Sequence, residues 1–219
     1  MRRALPRPIS YLITGGRATS STSAADEEFQ SLLALVRSAV AARVTLVQLR
    51  EKNLRGRVLY ELASAAALLA RGGDTRVLVN DRADIARAAG CDGVHLTTDS
   101  LDAREVRRAF GADFLIGVSA HSLEEARGAR EGGADFAVFG PVFDTPSKRA
   151  YGPPVGLEAL GDAARELKPF PVVALGGVSP ENAGEVFRAG AAGVAGIRLF
   201  ADGQNLARAV HLIDRANDS

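Results

Sequence analysis

Short apolar runs rich in Val, Ile and Leu alternate along this chain with longer Ala-, Leu-, Glu- and Arg-rich segments of helical period, the pattern of parallel βα units. The apolar runs predict strands at 9–14, 45–49, 76–79, 93–96, 114–117, 136–139, 172–175 and 194–197. The segments after them predict helices at 26–42, 55–70, 83–89, 103–109, 123–131, 157–167, 180–189 and 205–216. A loose internal echo supports this division: Gly90-Cys-Asp-Gly-Val94, Gly133-Ala-Asp-Phe-Ala-Val138 and Gly190-Ala-Ala-Gly-Val194 each end a helical segment and begin a strand. A glycine there suits a helix C-terminus that needs positive φ. Eight βα units in 219 residues match the roughly 200 to 250 residues of one α/β barrel. The expectation is therefore an α/β protein with a single (βα)8 TIM-barrel domain spanning residues 1–219.

Composition narrows the picture. Hydrophobic residues make up 47% of the chain, enough for a sizeable core, and the net charge of +1 gives no general support for binding nucleic acid or an anionic membrane. Cys91 is the one cysteine, so an intrachain disulfide is ruled out and a small buried side chain beside a strand is expected. The start, Met1-Arg-Arg-Ala-Leu-Pro-Arg-Pro8, runs into prolines rather than the apolar core of a signal peptide, and no stretch approaches the roughly 18 apolar residues of a membrane span. A cytoplasmic protein is the default. The Ser- and Thr-rich stretch 18–25 predicts a mobile connection after the first strand.

In such a barrel the strand-to-helix ends carry chemistry. Strand two runs out through Gln48-Leu-Arg-Glu-Lys52, where alternation sends Gln48, Arg50 and Lys52 to one side and Leu49 and Glu51 to the other. Three long polar side chains at the mouth call for an anionic partner. Strand three exits into Asn80-Asp81-Arg82: Asp81 supplies an oxygen suited to Mg²⁺ and Asn80 a phosphate or ring contact, while either also suits a helix N-cap. Strand four exits through His95-Leu-Thr-Thr-Asp-Ser100, with Asp99 as second metal ligand or N-cap and His95 read as a satisfied structural group. After strand five, Ser122 and Glu125 have capping-box spacing, leaving Ser119 and His121 as groups for ligand contact and proton movement.

The polar loop after strand six contains Thr145, Ser147, Lys148 and Arg149, two hydroxyls and two cations suited to phosphate but without Walker spacing. Ala174-Leu-Gly-Gly-Val178 and Gly193-Val-Ala-Gly-Ile197 end strands seven and eight in glycines, where barrels commonly hold phosphate on backbone N–H groups, and Arg198 adds a cation beside them. Arg50, Lys52, Lys148, Arg149 and Arg198 thus gather at the mouth of a nearly neutral protein, favouring a ligand with more than one phosphate.

Taken together, Gln48-Leu-Arg-Glu-Lys52, Asn80-Asp-Arg82, Asp92-Gly-Val-His-Leu96, Gly117-Val-Ser-Ala-His121, Gly140-Pro-Val-Phe143 with Thr145 and Lys148, and Ala174-Leu-Gly-Gly-Val178 resemble the thiamine-phosphate synthase and thiazole tautomerase superfamily, over about residues 9–200. The resemblance implies a barrel that joins 4-amino-5-hydroxymethyl-2-methylpyrimidine diphosphate to thiazole phosphate, releasing diphosphate held by Mg²⁺ and basic residues. Carried over, Gln48 contacts the pyrimidine; Arg50, Lys52, Asn80 and Lys148 hold diphosphate; Asp81 binds Mg²⁺; Ser119 assists the leaving group; Thr145, Gly176 and Gly177 surround the thiazole phosphate, and the residues themselves add Asp99 to the metal and Ser147 and Arg198 to the phosphate. Ser119, His121 and Lys148 are the candidate catalytic groups. The implied partners are small phosphorylated substrates, with no nucleic acid or membrane, and a homo-oligomer stays open.

Three positions depart from the synthase pattern: Ser100 stands where a metal-binding Asp is usual, Arg198 where a Ser is expected, and Gly15 where an Asp is. Ser100 together with His121 also resembles the tautomerase branch, in which a histidine near strand five shuttles the proton that aromatises the thiazole. Gln48 and Asp81 belong to the synthase pattern, which the reading favours. A non-catalytic thiamine-phosphate-binding protein is the third alternative.

Overall fold

A computed structural model describes residues 5–145 and 153–218. Eight parallel strands close into a barrel in chain order: β1 (Ile9–Ile13), β2 (Leu46–Leu49), β3 (Arg76–Asn80), β4 (Gly93–Leu96), β5 (Leu115–Ala120), β6 (Phe136–Phe139), β7 (Val172–Leu175) and β8 (Gly193–Gly196). Closure is made by β1 against β8, with Ile9 opposite Gly193 and Tyr11 opposite Ala195. Outside run α1 (Glu27–Ala41), α2 (Gly56–Ala70), α3 (Ala83–Ala88), α4 (Ala103–Phe110), α5 (Leu123–Glu131), α6 (Gly156–Leu167), α7 (Ala183–Arg188) and α8 (Leu206–Asn217). The expected elements are all present, with most ends within two residues of the expectation.

Two ends move further, for identifiable reasons. β5 continues to Ala120, because Leu96 of β4 pairs with Val118 while β6 offers Val138 and Phe139 to Ser119 and Ala120. Ser119 thereby becomes a strand residue. α7 begins at Ala183 rather than near Pro180, because Asn182 Oδ1 accepts the Ser179 N–H at 2.8 Å and its Nδ2 donates to the Gly177 carbonyl at 3.0 Å, holding 179–182 as a turn. Such Asx bonding competes with helix.

Strand alternation divides the apolar residues into two cores. Ile9, Tyr11, Ile13, Leu46, Leu78, Phe136, Val138 and Val173 fill the barrel interior, whereas Leu12, Val47, Leu49, Val77, Val79, Val94 and Ala137 face the helices. The anticipated helix-end glycines Gly90, Gly133 and Gly190 have φ of 75°, 85° and 99°. Cys91, next to Gly90, is buried with its Sγ 3.5 Å from the Ala63 carbonyl, and burial pushes the thiol up to about 12. No helix among the described residues is long and apolar enough to cross a membrane.

Candidate active site

The floor of the barrel mouth is a polar network inside an apolar cylinder. Gln48 Nε2 donates to Tyr11 Oη at 2.8 Å, Tyr11 Oη lies 3.2 Å from His95 Nδ1, and His95 Nε2 lies 3.0 Å from Ser119 Oγ. The pleat places these four there, one each from β1, β2, β4 and β5, and buried polar groups need such partners. Tyr11, Gln48 and His95 are buried, and Ser119 is half-buried where it lines a cleft of about 300 Å³ between the β4 and β5 exits and α4 and α5. Burial, then the nearby Arg50 guanidinium, pushes His95 down to about 3 from the ordinary histidine value, so the ring is neutral. Burial likewise raises the Tyr11 phenol, against a smaller lowering by Gln48. His95 is the satisfied group expected of it. Tyr11 was not singled out in the sequence, because one tyrosine in an apolar run reads as core; the signal was its parity with Ile9 and Ile13 opposite Gln48.

Beyond β2 the expected alternation persists for a short distance. Arg50 is half-buried, its N–H held by Thr14 Oγ1 at 2.8 Å. Glu51, on the other side, is 2% exposed and accepts the N–H groups of Gly16 and Ala18, each at 3.0 Å. Lys52 falls in a turn after the strand has ended at Leu49 and is exposed. Sequence reasoning missed Glu51, although a carboxylate opposite the Gln48–Arg50 parity had to find donors. It finds them at Gly16 and at Ala18, the first residue of the stretch expected to be mobile. That loop is tied down: Ala18 and Thr22 are buried, and Thr22 Oγ1 accepts the Thr19 N–H at 3.0 Å.

At the β3 exit, the N-cap alternative for Asp81 fails. Arg82 is the residue flanking α3, and Asp81 has φ of 64°, with its N–H donated to the His95 carbonyl at 2.8 Å. Aspartate is among the few residues that tolerate this left-handed region, and its exposed carboxylate is left for other use. Next to it, Asn80 Oδ1 is buried with no hydrogen-bond partner among the described residues. Asp99 is also not a cap: Asp102 caps α4 through the Arg104 N–H at 2.7 Å, while Ser100 Oγ accepts the Thr97 N–H at 2.8 Å. Asp99 is exposed, and no group of three or more His, Cys, Asp or Glu gathers among the described residues. An acceptor without a donor next in sequence to an exposed carboxylate suits a cation completed by ligand oxygens and water, the usual habit of Mg²⁺.

After β5, Ser122 caps α5 through the Glu125 N–H at 3.1 Å, but the Glu125 carboxylate returns to the His121 N–H at 2.7 Å rather than to that of Ser122. Exposed His121 directs Nδ1 at the Gly140 carbonyl, 2.5 Å away, which leaves Nε2 for another partner. Thr145 is buried and donates to the Phe143 carbonyl at 3.2 Å. Gly176 and Gly177 have φ of 100° and 67°, and a Cβ on either would come within 2.6 Å of Pro141 Cβ or Phe143 Cβ respectively. These glycines let the β6 and β7 exits close on each other, where Val142 and Phe143 N–H groups bond the Leu175 and Gly176 carbonyls at 2.8 and 3.0 Å. Arg198 is exposed at the start of a short 3₁₀ turn, Arg198–Phe200. Ser147 and Lys148, with Arg149, lie outside the described residues.

Fold and rim together define a (βα)8 barrel with a polar, cation-bearing mouth at the C-terminal ends of its strands. A family profile described as thiamine monophosphate synthase matches residues 11–200, and the chain belongs to that family. Among its relatives are thiamine-phosphate synthases of a Roseiflexus species, 37% identical over 94% of this chain and 84% of the relative, and of Moorella thermoacetica, 42% identical over 81% and 84%. A solved thiamine phosphate pyrophosphorylase from Pyrococcus furiosus superposes with a TM-score of 0.77 at 30% identity, covering 96% of each chain.

Proposed function

We propose that this protein is a thiamine-phosphate synthase, a transferase that condenses 4-amino-5-hydroxymethyl-2-methylpyrimidine diphosphate with 4-methyl-5-(2-phosphooxyethyl)thiazole, or its carboxylate. The bond from the pyrimidine methylene carbon to the diphosphate oxygen breaks, the electron pair leaving with diphosphate. The thiazole nitrogen then donates its pair to that carbon, and where the carboxylate is the substrate its carboxyl group leaves as CO₂. The synthase relatives over most of the chain carry this reading, and a mouth bearing Gln48, Arg50, Asn80, Asp81 and Ser119 at the β2, β3 and β5 exits supports it.

A dissociative step needs charge neutralised at the leaving oxygens more than it needs a base. Arg50 and Lys52, with Lys148, act as fixed cations for diphosphate, Asn80 binds it by its amide, and Ser119 donates to it. Gln48 orients the pyrimidine from the barrel floor, and the β6–β7 and β8 exits with Thr145, Ser147, Gly176, Gly177 and Arg198 receive the thiazole phosphate. Asp81 with Asn80 Oδ1, and Asp99 from the next strand exit, would hold Mg²⁺, which when bound neutralises the departing diphosphate. The apolar barrel wall limits water, so the carbon centre meets thiazole rather than solvent. A cytoplasmic location accords with this chemistry.

The test is diphosphate release by purified protein with both substrates, in Mg²⁺ and in EDTA. Release that requires Mg²⁺ and falls about 100-fold in Asp81→Ala is expected. No release, or isomerisation of the thiazole carboxylate phosphate in its place, would overturn the reading.

A further inference from the structure

We propose that Tyr11 and His95 are positioning residues that give the hydrogen-bond chain across the barrel floor one direction, so that Gln48 presents an acceptor and Ser119 a donor to the bound substrate. This rests on the synthase reading for what the two ends touch. The direction itself follows from one atom. Gln48 turns Nε2 toward Tyr11 Oη at 2.8 Å, and an amide nitrogen only donates, so the phenol oxygen accepts there. Its single proton is then directed to His95 Nδ1 at 3.2 Å. A ring that accepts at Nδ1 and stays neutral carries its proton on Nε2 and donates it to Ser119 Oγ at 3.0 Å. Ser119 therefore keeps its own proton for a further acceptor, and the Gln48 carbonyl oxygen remains for an incoming N–H.

The two ends are matched to chemically opposite parts of the substrate. An aminopyrimidine brings an N–H donor, which suits Gln48 Oε1, and a departing diphosphate brings an acceptor whose charge grows in the transition state, which suits the Ser119 proton. Reversing the chain would reverse both ends together and pair like with like. The packing holds the relay in place: the Tyr11 ring meets Phe136 edge-on with centroids 5.6 Å apart. Gly117 admits the imidazole, since a Cβ there would lie 2.8 Å from His95 Nδ1 and 2.4 Å from Phe136 Cζ. Neither Tyr11 nor His95 is assigned a substrate contact; both act through the residues at the ends.

Nitrogen-15 NMR of histidine-labelled full-length protein, with His121 and His211 signals assigned by substitution, reads the ring directly. We expect His95 to be neutral and protonated on Nε2; protonation on Nδ1 would overturn the proposal, and this measurement needs no relay variant. In the release assay, Tyr11→Phe is expected to lower kcat roughly tenfold with KM changed less than about twofold, the scale of one lost hydrogen bond in the transition state. In a Ser119→Ala background the same substitution should cost a smaller factor, because the part of its effect that runs through that hydroxyl is already gone and the part through Gln48 remains. Equal factors in both backgrounds would overturn the coupling. If the unaltered protein releases no diphosphate, the synthase reading falls by itself, while the tautomer still decides the direction of the relay.

Discussion

His95 is a histidine whose surroundings refuse it a charge. Tyr11 and Ser119 occupy its two nitrogens, Arg50 stands nearby, and burial holds it down to about 3. Above about pH 6.5 the folded and unfolded states both hold the ring neutral, so pH has no leverage through this group. As pH falls from about 6.5 toward 3, the unfolded chain takes up a proton that the fold refuses, and stability is lost through that window. Urea unfolding in EDTA between about pH 7 and 4 should show His95→Gln with a flatter decline than the unaltered protein, by at most about 1.4 kcal/mol per pH unit. Parallel curves would show that His95 does not carry this dependence. In sequence, His95 was legible as a strand-end histidine, but its partners were not: Tyr11 is 84 residues away and Ser119 24.

At the scale of elements, the β1 exit and the β2 exit form one unit through Glu51. Its carboxylate accepts two loop N–H groups while buried behind the strand, and charge-assisted bonds of this kind are worth about 1.5–3 kcal/mol each at most. Glu51→Ala should lower unfolding stability by about 2–4 kcal/mol and open the 16–22 loop to protease, with Glu51→Gln intermediate because its single amide oxygen replaces one of the two carboxylate acceptors. A loss below about 0.5 kcal/mol in urea titration would contradict this pinning. The loop's Ser and Thr content suggested a loose connection, and composition was misleading here because the tether lies on a different strand. Element type and order were readable throughout, since apolar runs and helical periods are local signals. The extension of β5 to Ala120 was not, because it depends on strands present on both sides.

For the whole molecule, net charge is nearly zero while Arg50, Lys52 and Arg198 stand at strand exits of one barrel face. On the roles proposed for these cations, the attraction for a diphosphate substrate is local, reaching about a Debye length, about 10 Å at 0.1 M salt and about 3 Å at 1 M. Raising potassium chloride through this range should increase KM for the pyrimidine diphosphate several-fold while kcat changes less than about twofold. Steady-state kinetics at fixed free Mg²⁺ checks this, and a KM indifferent to salt would remove the rim cations from substrate capture.

Local patterning determined the eight strands, the eight helices, the helix-end glycines and the residue types at each exit, because periodicity, turn chemistry and alternation all act within a few residues. Three-dimensional closure decided the rest. Only the barrel brings Tyr11, Gln48, His95 and Ser119 into one chain of bonds, places Glu51 under the first loop, and shows Gly176 and Gly177 to be small because Pro141 and Phe143 press against them. Those contacts join residues from different strands, and their partners become definite when the sheet closes on itself.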